Sequence, residues 1–395
     1  MANERDAVIV SAVRTPLGSF GGSLSSTGAT DLGALVMREA VRRAGIKADD
    51  VQEALMGIVL PCGYGQNPAR QASMKAGLPM DTGCVSLNKV CGSGLMAVML
   101  AAEMIKSGYA DIAVAGGMEN MSMAPYYLPG ARFGARMGDA KLVDHMVHDG
   151  LWDVVNDFHM GISNDLISEK WKISREDQDR FALGSYEKTL RSIEKGIFKP
   201  EIVPVEIKDK KGQIKQFDTD ECPRPTSLEV LEKMKPAFQK NGFATAGNSS
   251  VISDGASAVV VMSSGRAREM GIKPLVKVRA SGSAGIELKY VLMAPIHSIP
   301  KVCKRAGVDI GDIELHEINE AFSGSSLGII RELKIDPSRV NVNGGSVALG
   351  HPIGASGARV LTTLIHEMKR RGSSLGQASL CLGGAESVTM IVENI

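Results

Sequence analysis

Three short stretches of this 395-residue chain set a nucleophilic or basic side chain among very small neighbours. In SLNKVCGSGLMAV, residues 86–98, Cys91 stands between a short apolar stretch and a helical one. A thiol just before a helix start feels the partial positive charge of that end, which favours thiolate and predicts a lowered pKa. Gly92, Ser93 and Gly94 leave the sulfur reachable and let backbone N–H groups line an anion site. In NVNGGSVALGHPIGASGAR, residues 341–359, His351 occupies a glycine-rich loop before a second helix, the right place for a general base. LCLGGAES puts Cys381 at a strand end with Gly383 and Gly384 free to present N–H groups, and HEINEAFSG ends another strand with Asn319 and Glu320. Taken singly, Cys91 serves equally well as a small buried corner residue, and His351 as a structural histidine. Ligands gather beyond the carboxyl ends of strands in open α/β sheets, so four such groups together argue for one site.

The elements that carry these groups are duplicated. RAGIKADDV at 43–51 returns as RAGVDIGDI at 305–313, a constant offset of 262, each after an amphipathic helix and before an apolar strand. CGSGLMAVMLAAEMIKSG leading into ADIAVAGGME returns as GASGARVLTTLIHEMKRRG leading into QASLCLGGAE. Each copy has Ser-Gly opening a helix, glycine closing it, and a strand ending Gly-Gly-x-Glu. The pattern predicts helices over 31–44 and 92–107, and strands in DAVIVSAV, EALMGIVL and DIAVAGG. Near-continuous apolar strands between helices predict a mostly parallel sheet covered on both faces. Two such units stacked give five layers, helices outside and between two sheets. Residues 121–248 break the rhythm with loop-like and helical stretches, an insertion in the first unit, which resumes at NSSVISDGASAVVVMSS. The boundaries are 1–120 plus 249–273 for the first half, 121–248 for the insertion and 274–395 for the second half.

Composition narrows the function. A formal charge of +1 gives no case for nucleic acid, and no apolar run is expected to reach membrane-spanning length. The start, MANERDAVIV, carries acids where a secretory signal would be basic and then apolar, so a cytoplasmic protein is expected. The six cysteines form no CxxC pair and no zinc-finger spacing; free thiols and no metal site are expected, with Cys62, Cys84, Cys222 and Cys303 in packing roles.

NKVCGSGLMAV, NEAF, NVNGGSVALGHPIGASGAR and CLGG, in that order and spacing, resemble the motifs of the thiolase family over essentially the whole chain. The resemblance implies the thiolase fold, two α/β halves in a five-layer αβαβα arrangement with an inserted loop domain. It implies acyl transfer to or from a 3-oxoacyl-CoA by a ping-pong cycle, with acetyl-CoA C-acetyltransferase or a wider 3-oxoacyl-CoA thiolase as the activity. Cys91 would be the nucleophile, His351 the base that takes its proton, and Cys381 the second acid/base. His351 and a water on Asn319 would hold the enolate-like oxygen, and the N–H groups of Cys91 and Gly383 the acyl oxygen. His159, Met160, Leu151, Phe238, Ser250 and Phe322 would line the pantetheine tunnel, with Arg224 nearer the nucleotide end. The resemblance implies no tightly bound cofactor, coenzyme A as substrate or product, and a homo-oligomer, dimer or tetramer. An accessory subunit is neither demanded nor excluded.

Val251, in NSSV, stands where the family often has glycine. Val291, in YVLMAPIH, stands where it has a methionine on the acyl pocket; the smaller side chain predicts room for a longer, branched or aromatic acyl group. His145, His148, His297 and His366 match no family role and are read as surface or structural. Two rival readings are a decarboxylating condensing enzyme of the ketoacyl synthase type and a silent acyl-CoA or lipid carrier. The second cysteine argues against the first, and the full set Cys91, His351 and Cys381 against the second.

Overall fold

The computed structural model describes residues 4–208 and 212–395. In the first half β1 (Ala7–Arg14) is followed by α1 (Ala29–Ala44), β2 (Glu53–Gly57), α2 (Pro68–Ala76), β3 (Gly83–Leu87), α3 (Ser93–Ser107) and β4 (Ile112–Asn120). The middle segment adds α4 (Met160–Lys170) and α5 (Arg175–Glu194) before β5 (Ser253–Ser263). The second half comprises β6 (Val276–Gly285), α6 (Pro295–Ala306), β7 (Leu315–Ile318), α7 (Ser323–Glu332), α8 (Ser356–Arg371), β8 (Leu375–Leu382) and β9 (Glu386–Asn394). The repeated glycines stop the repeated helices: Gly45 and Gly307 end α1 and α6, and Gly108 and Gly372 end α3 and α8, all with left-handed backbone.

The strands run β7-β8-β9-β6-β1-β5-β4-β2-β3, with Gly18–Ser19 beside β5. Both halves' sheets meet where Val8 and Ile9 of β1 pair with Lys277 and Val276 of β6. Among the described strands of this sheet only the β2–β3, β2–β4 and β7–β8 pairs are parallel; β1–β5, β1–β6, β4–β5, β6–β9 and β8–β9 are antiparallel. The expectation of a mostly parallel sheet is therefore corrected. Burial on both faces, not strand direction, makes these strands continuously apolar. In β1, Val8, Val10 and Val13 face the core under α1, whereas Ala7, Ile9 and Ala12 face the central core.

Five layers result. Helices α1 and α2 cover one sheet, α6 and α7 the other, and α3 and α8 lie between, packed on strands of both halves. The two central helices touch at their duplicated glycines. A Cβ on Gly94 would come within 2.8 Å of Ala358 N, and one on Gly357 within 2.3 Å of Leu95 N. Only glycine permits that approach, and it brings the N-terminal ends of α3 and α8 side by side. The stretch Val90–Ser107 does reach the length and hydropathy of a membrane span, against the expectation; it is the apolar helix of the central layer.

Candidate active site

Cys91 sits at the entry to α3 on a turn fixed from several sides. Val90 adopts φ +44°, a left-handed conformation that costs a β-branched residue on the order of 1–3 kcal/mol. Asn88 Oδ1 accepts from Val90 N at 2.9 Å, and Ser93 Oγ accepts from Lys89 N at 2.8 Å and donates to Val90 O at 2.6 Å. A Cβ on Gly92 would lie 2.4 Å from Leu382 Cδ2, so the bare corner is needed for the turn to rest on the end of β8. Val90 in turn buttresses Gly383, whose added Cβ would meet its Cγ1 at 3.1 Å.

The expected low pKa at Cys91 is overturned. Burial pushes the thiol up to about 12, and Glu119 nearby adds to the rise; the N–H groups of Gly383 and of Cys91 itself lean toward the sulfur and pull the other way. Cys91 is half-buried, and its exposure is to an internal cavity. Desolvation outweighs the helix end. Cys381, 3% exposed at the end of β8, is pushed up by burial and by the adjacent Cys91.

His351 is buried, and its pKa falls to about 3, through burial and then Arg359. A directed chain of hydrogen bonds fixes its tautomer. Arg359 Nη2 donates to Ser346 Oγ at 3.1 Å, and that hydroxyl donates to Asn319 Oδ1 at 2.6 Å. Asn319 Nδ2 lies 3.4 Å from His351 Nε2, while His351 Nδ1 lies 2.6 Å from Ser356 Oγ, which donates to Pro352 O at 2.9 Å. With its own proton committed to Pro352 O, Ser356 must accept from Nδ1–H. The lone pair therefore remains on Nε2, ready to receive a proton.

These groups open on one cavity of about 380 Å³. Cys91, His351, Cys381 and Gly383 line it, as do Leu151, His159, Met160, Arg224, Phe238, Ser250 and Phe322. Asn319 lies behind His351, 3% exposed, and is not on the cavity wall. His159 caps α4 by accepting from Gly161 N at 3.1 Å; burial lowers its pKa to about 4, and its ring stacks on Phe238 at 4.5 Å. Phe322 meets Phe238 edge-on at 5.8 Å, giving a largely apolar wall with few polar groups.

Several sequence expectations fail here. Val291 is 1% exposed in the core of the second half and does not line the cavity; Leu292 does. Residues Leu288–Met293 form a short helix kinked at Tyr290, tied to α4 by Ser163 Oγ donating to Lys289 O at 2.8 Å. Leu292, not its neighbour, lines the cavity, so the expected widening is not found. Cys62 is exposed rather than packed, although all six cysteines are free. The four histidines without a family role are, as expected, surface or structural: His145 is buried against Asp149 at 2.6 Å, His148 and His297 are exposed, and His366 Nε2 sits 2.9 Å from Ala12 O. Val251 lines the cavity and its carbonyl accepts from His351 N at 2.8 Å. Ser346, Ser356 and Arg359 were missed: they lie in the quoted glycine-rich motif, but only the folded chain reveals their bonding.

Residues 7–265 match the family model "Thiolase, N-terminal domain" and residues 272–394 match "Thiolase, C-terminal domain". The chain belongs to the thiolase family. The acetyl-CoA acetyltransferase of Cupriavidus necator is 52% identical over 389 residues, covering 98% of this chain and 99% of that protein. Its Pseudomonas aeruginosa counterpart is 50% identical over 387 residues and 98% of both. The crystal structure of the Bacillus anthracis acetyl-CoA acetyltransferase superposes with a TM-score of 0.97 at 39% identity, covering 99% of each chain. This thiolase is accordingly an acyltransferase with the thiolase fold, of a family that acts on acyl-CoA.

Proposed function

We propose that the chain makes and cleaves short 3-oxoacyl-CoA thioesters, acting as an acetyl-CoA C-acetyltransferase by a ping-pong route. The observation that carries this is the single cavity lined by Cys91, His351, Cys381 and Gly383, with Leu292 filling part of it. In cleavage, Nε2 of His351 takes the Cys91 proton as the sulfur attacks the 3-oxo carbon. The bond between carbons 2 and 3 breaks, the electron pair goes to the enolate of the leaving acetyl-CoA, and Cys381 protonates carbon 2. A second CoA then gives its thiol proton to Cys381 and attacks the acyl-Cys91 thioester, and Cys91 recovers its proton from His351. The two resting thiols and the imidazole are all neutral, so proton transfer accompanies attack rather than preceding it.

Once protonated, Nε2–H of His351 becomes a donor to the enolate oxygen, joined by a water on Asn319, while the N–H groups of Cys91 and Gly383 receive the acyl oxygen. Residues 121–248 serve as the inserted CoA-binding segment: Leu151, His159, Met160, Arg224 and Phe238 belong to it. We read coenzyme A as substrate and product with no tightly bound cofactor. A homodimer or homotetramer fits the exposed apolar residues of the same segment, Phe133 at 83% and Met137 at 98%. Free thiols and CoA thioesters suit the cytoplasm.

Incubation with acetyl-CoA, denaturation and intact mass measurement test the reading. An acetyl adduct on Cys91 that vanishes in Cys91→Ser is expected. Turnover by Cys91→Ser at the parent rate, or release of carbon dioxide from malonyl-CoA in place of acetoacetyl-CoA thiolysis, overturns it.

A further inference from the structure

The mechanism leaves unused the acid that ends each repeat's Gly-Gly-x-Glu. Glu119 closes β4 of the first half and is fully buried. Its Oε2 accepts from Val59 N at 2.9 Å and from Gly354 N at 2.8 Å, and its Oε1 accepts from Leu60 N at 3.2 Å. Gly354 belongs to the second half, three residues beyond His351. Its own Cβ, if present, would lie 2.6 Å from Glu119 Oε2, and a Cβ on Gly117 would lie 2.1 Å from Gly354 O. Glu386, the counterpart that opens β9 in the second half, pairs with Lys89 of the first half, two residues before Cys91. Each repeat's acid thus grips the reactive loop of the other repeat.

We propose that Glu119 and Glu386 are paired positioning residues, which hold the His351 loop and the Cys91 turn against the opposite half and so set the spacing of the two reacting groups. The proposal rests on the thiolase reading of Cys91 and His351. Three converging N–H donors require an acceptor that carries no donor. A carboxylate satisfies all three, whereas an amide must turn its NH2 toward one of them. Burial raises the Glu119 carboxyl to about 7 while the three N–H groups oppose the rise, so the charged, gripping form holds on the alkaline side. Its negative charge also adds to the rise of the Cys91 thiol, which gives a readout that a purely structural role lacks.

The test is acetoacetyl-CoA thiolysis with the pH dependence of Cys91 alkylation by iodoacetamide. For Glu119→Gln, kcat should fall about 10²-fold with KM within about twofold, the signature of misplaced reacting groups. The alkylation profile should move to lower pH, because a negative charge beside the sulfur is gone. Lys89→Glu and Glu386→Lys should each lower kcat, and the exchanged double variant should recover it; this pair carries the test if Glu119→Gln does not fold. Wild-type kcat in Glu386→Lys and Lys89→Glu overturns the proposal, as does a Glu119→Gln variant that loses kcat with an unmoved alkylation profile. A parent enzyme unable to thiolyse any 3-oxoacyl-CoA refutes the underlying reading instead.

Discussion

The His351 imidazole donates from Nδ1 to Ser356 Oγ at 2.6 Å, and that hydroxyl donates its own hydrogen bond to Pro352 O at 2.9 Å, five and four residues apart on one tight turn. The orientation of the ring follows from the fold of the loop itself. Ser356→Ala removes the partner that selects the tautomer while leaving the cavity wall intact. We expect kcat to fall about 10- to 100-fold with KM for CoA unchanged, and Ser356→Thr to recover part of the loss. Steady-state thiolysis kinetics decide it.

Alkylation of the resting enzyme should report the raised Cys91 thiol directly. A pKa of about 12 means that thiolate is scarce near neutrality and grows about tenfold per pH unit. His351, held near 3, stays neutral throughout and adds no inflection near pH 6.5. Above the range in which Glu119 titrates, the logarithm of the iodoacetamide rate should rise linearly from about pH 8 to 10 in the absence of substrate. A plateau beginning below pH 8 contradicts this account.

The aromatic wall should act on binding rather than chemistry. Phe238 stacks on His159 and meets Phe322 edge-on, away from both thiols in sequence. Phe238→Ala should raise KM for CoA about three- to tenfold and leave kcat nearly unchanged. Arg224→Ala should weaken CoA but not a pantetheine thioester that lacks the nucleotide, measured side by side.

Leu292 sets a limit on the acyl group. Leu292→Ala should raise kcat/KM for branched 3-oxoacyl-CoA relative to acetoacetyl-CoA by about tenfold, the worth of a few methylenes in an apolar pocket. Val291→Ala, one residue away and in the core, should leave that ratio alone and lower stability instead. Equal ratios in both variants contradict the assignment.

Much of this was legible in the sequence because duplication prints itself as a period. The paired RAGIKADDV and RAGVDIGDI segments became matching helix ends with left-handed Gly45 and Gly307. Helix 92–107 appears as Ser93–Ser107, and helix 31–44 as Ala29–Ala44. Strand direction was not legible, since a strand buried on both faces is equally apolar either way, as β1 shows with Ile9 and Val10 on opposite sides. Nor was the sign of the Cys91 shift: the helix end is visible in the sequence, but the burial that outweighs it, and the nearby Glu119 charge that adds to it, exist only in the folded chain. Side-chain direction at 291 and 292 depended on a kink at Tyr290 that no local pattern announces.

The glycine crossing of the central helices should be intolerant. Gly357→Ala puts a methyl 2.3 Å from Leu95 N, on backbone that cannot yield as a side chain could. A loss of about 1–3 kcal/mol in denaturant unfolding is expected, with the midpoint lowered.

Aligning the repeats on Ser93 and Ser356 sets Gly354 opposite Cys91 and Asn88 opposite His351. The duplication is therefore obeyed by the scaffold and broken by the chemistry, with the nucleophilic sulfur drawn from one copy and the imidazole that takes its proton from the other. Severing the chain between β5 and β6 would leave two fragments, each holding half of a proton-transfer couple and neither able to turn over alone.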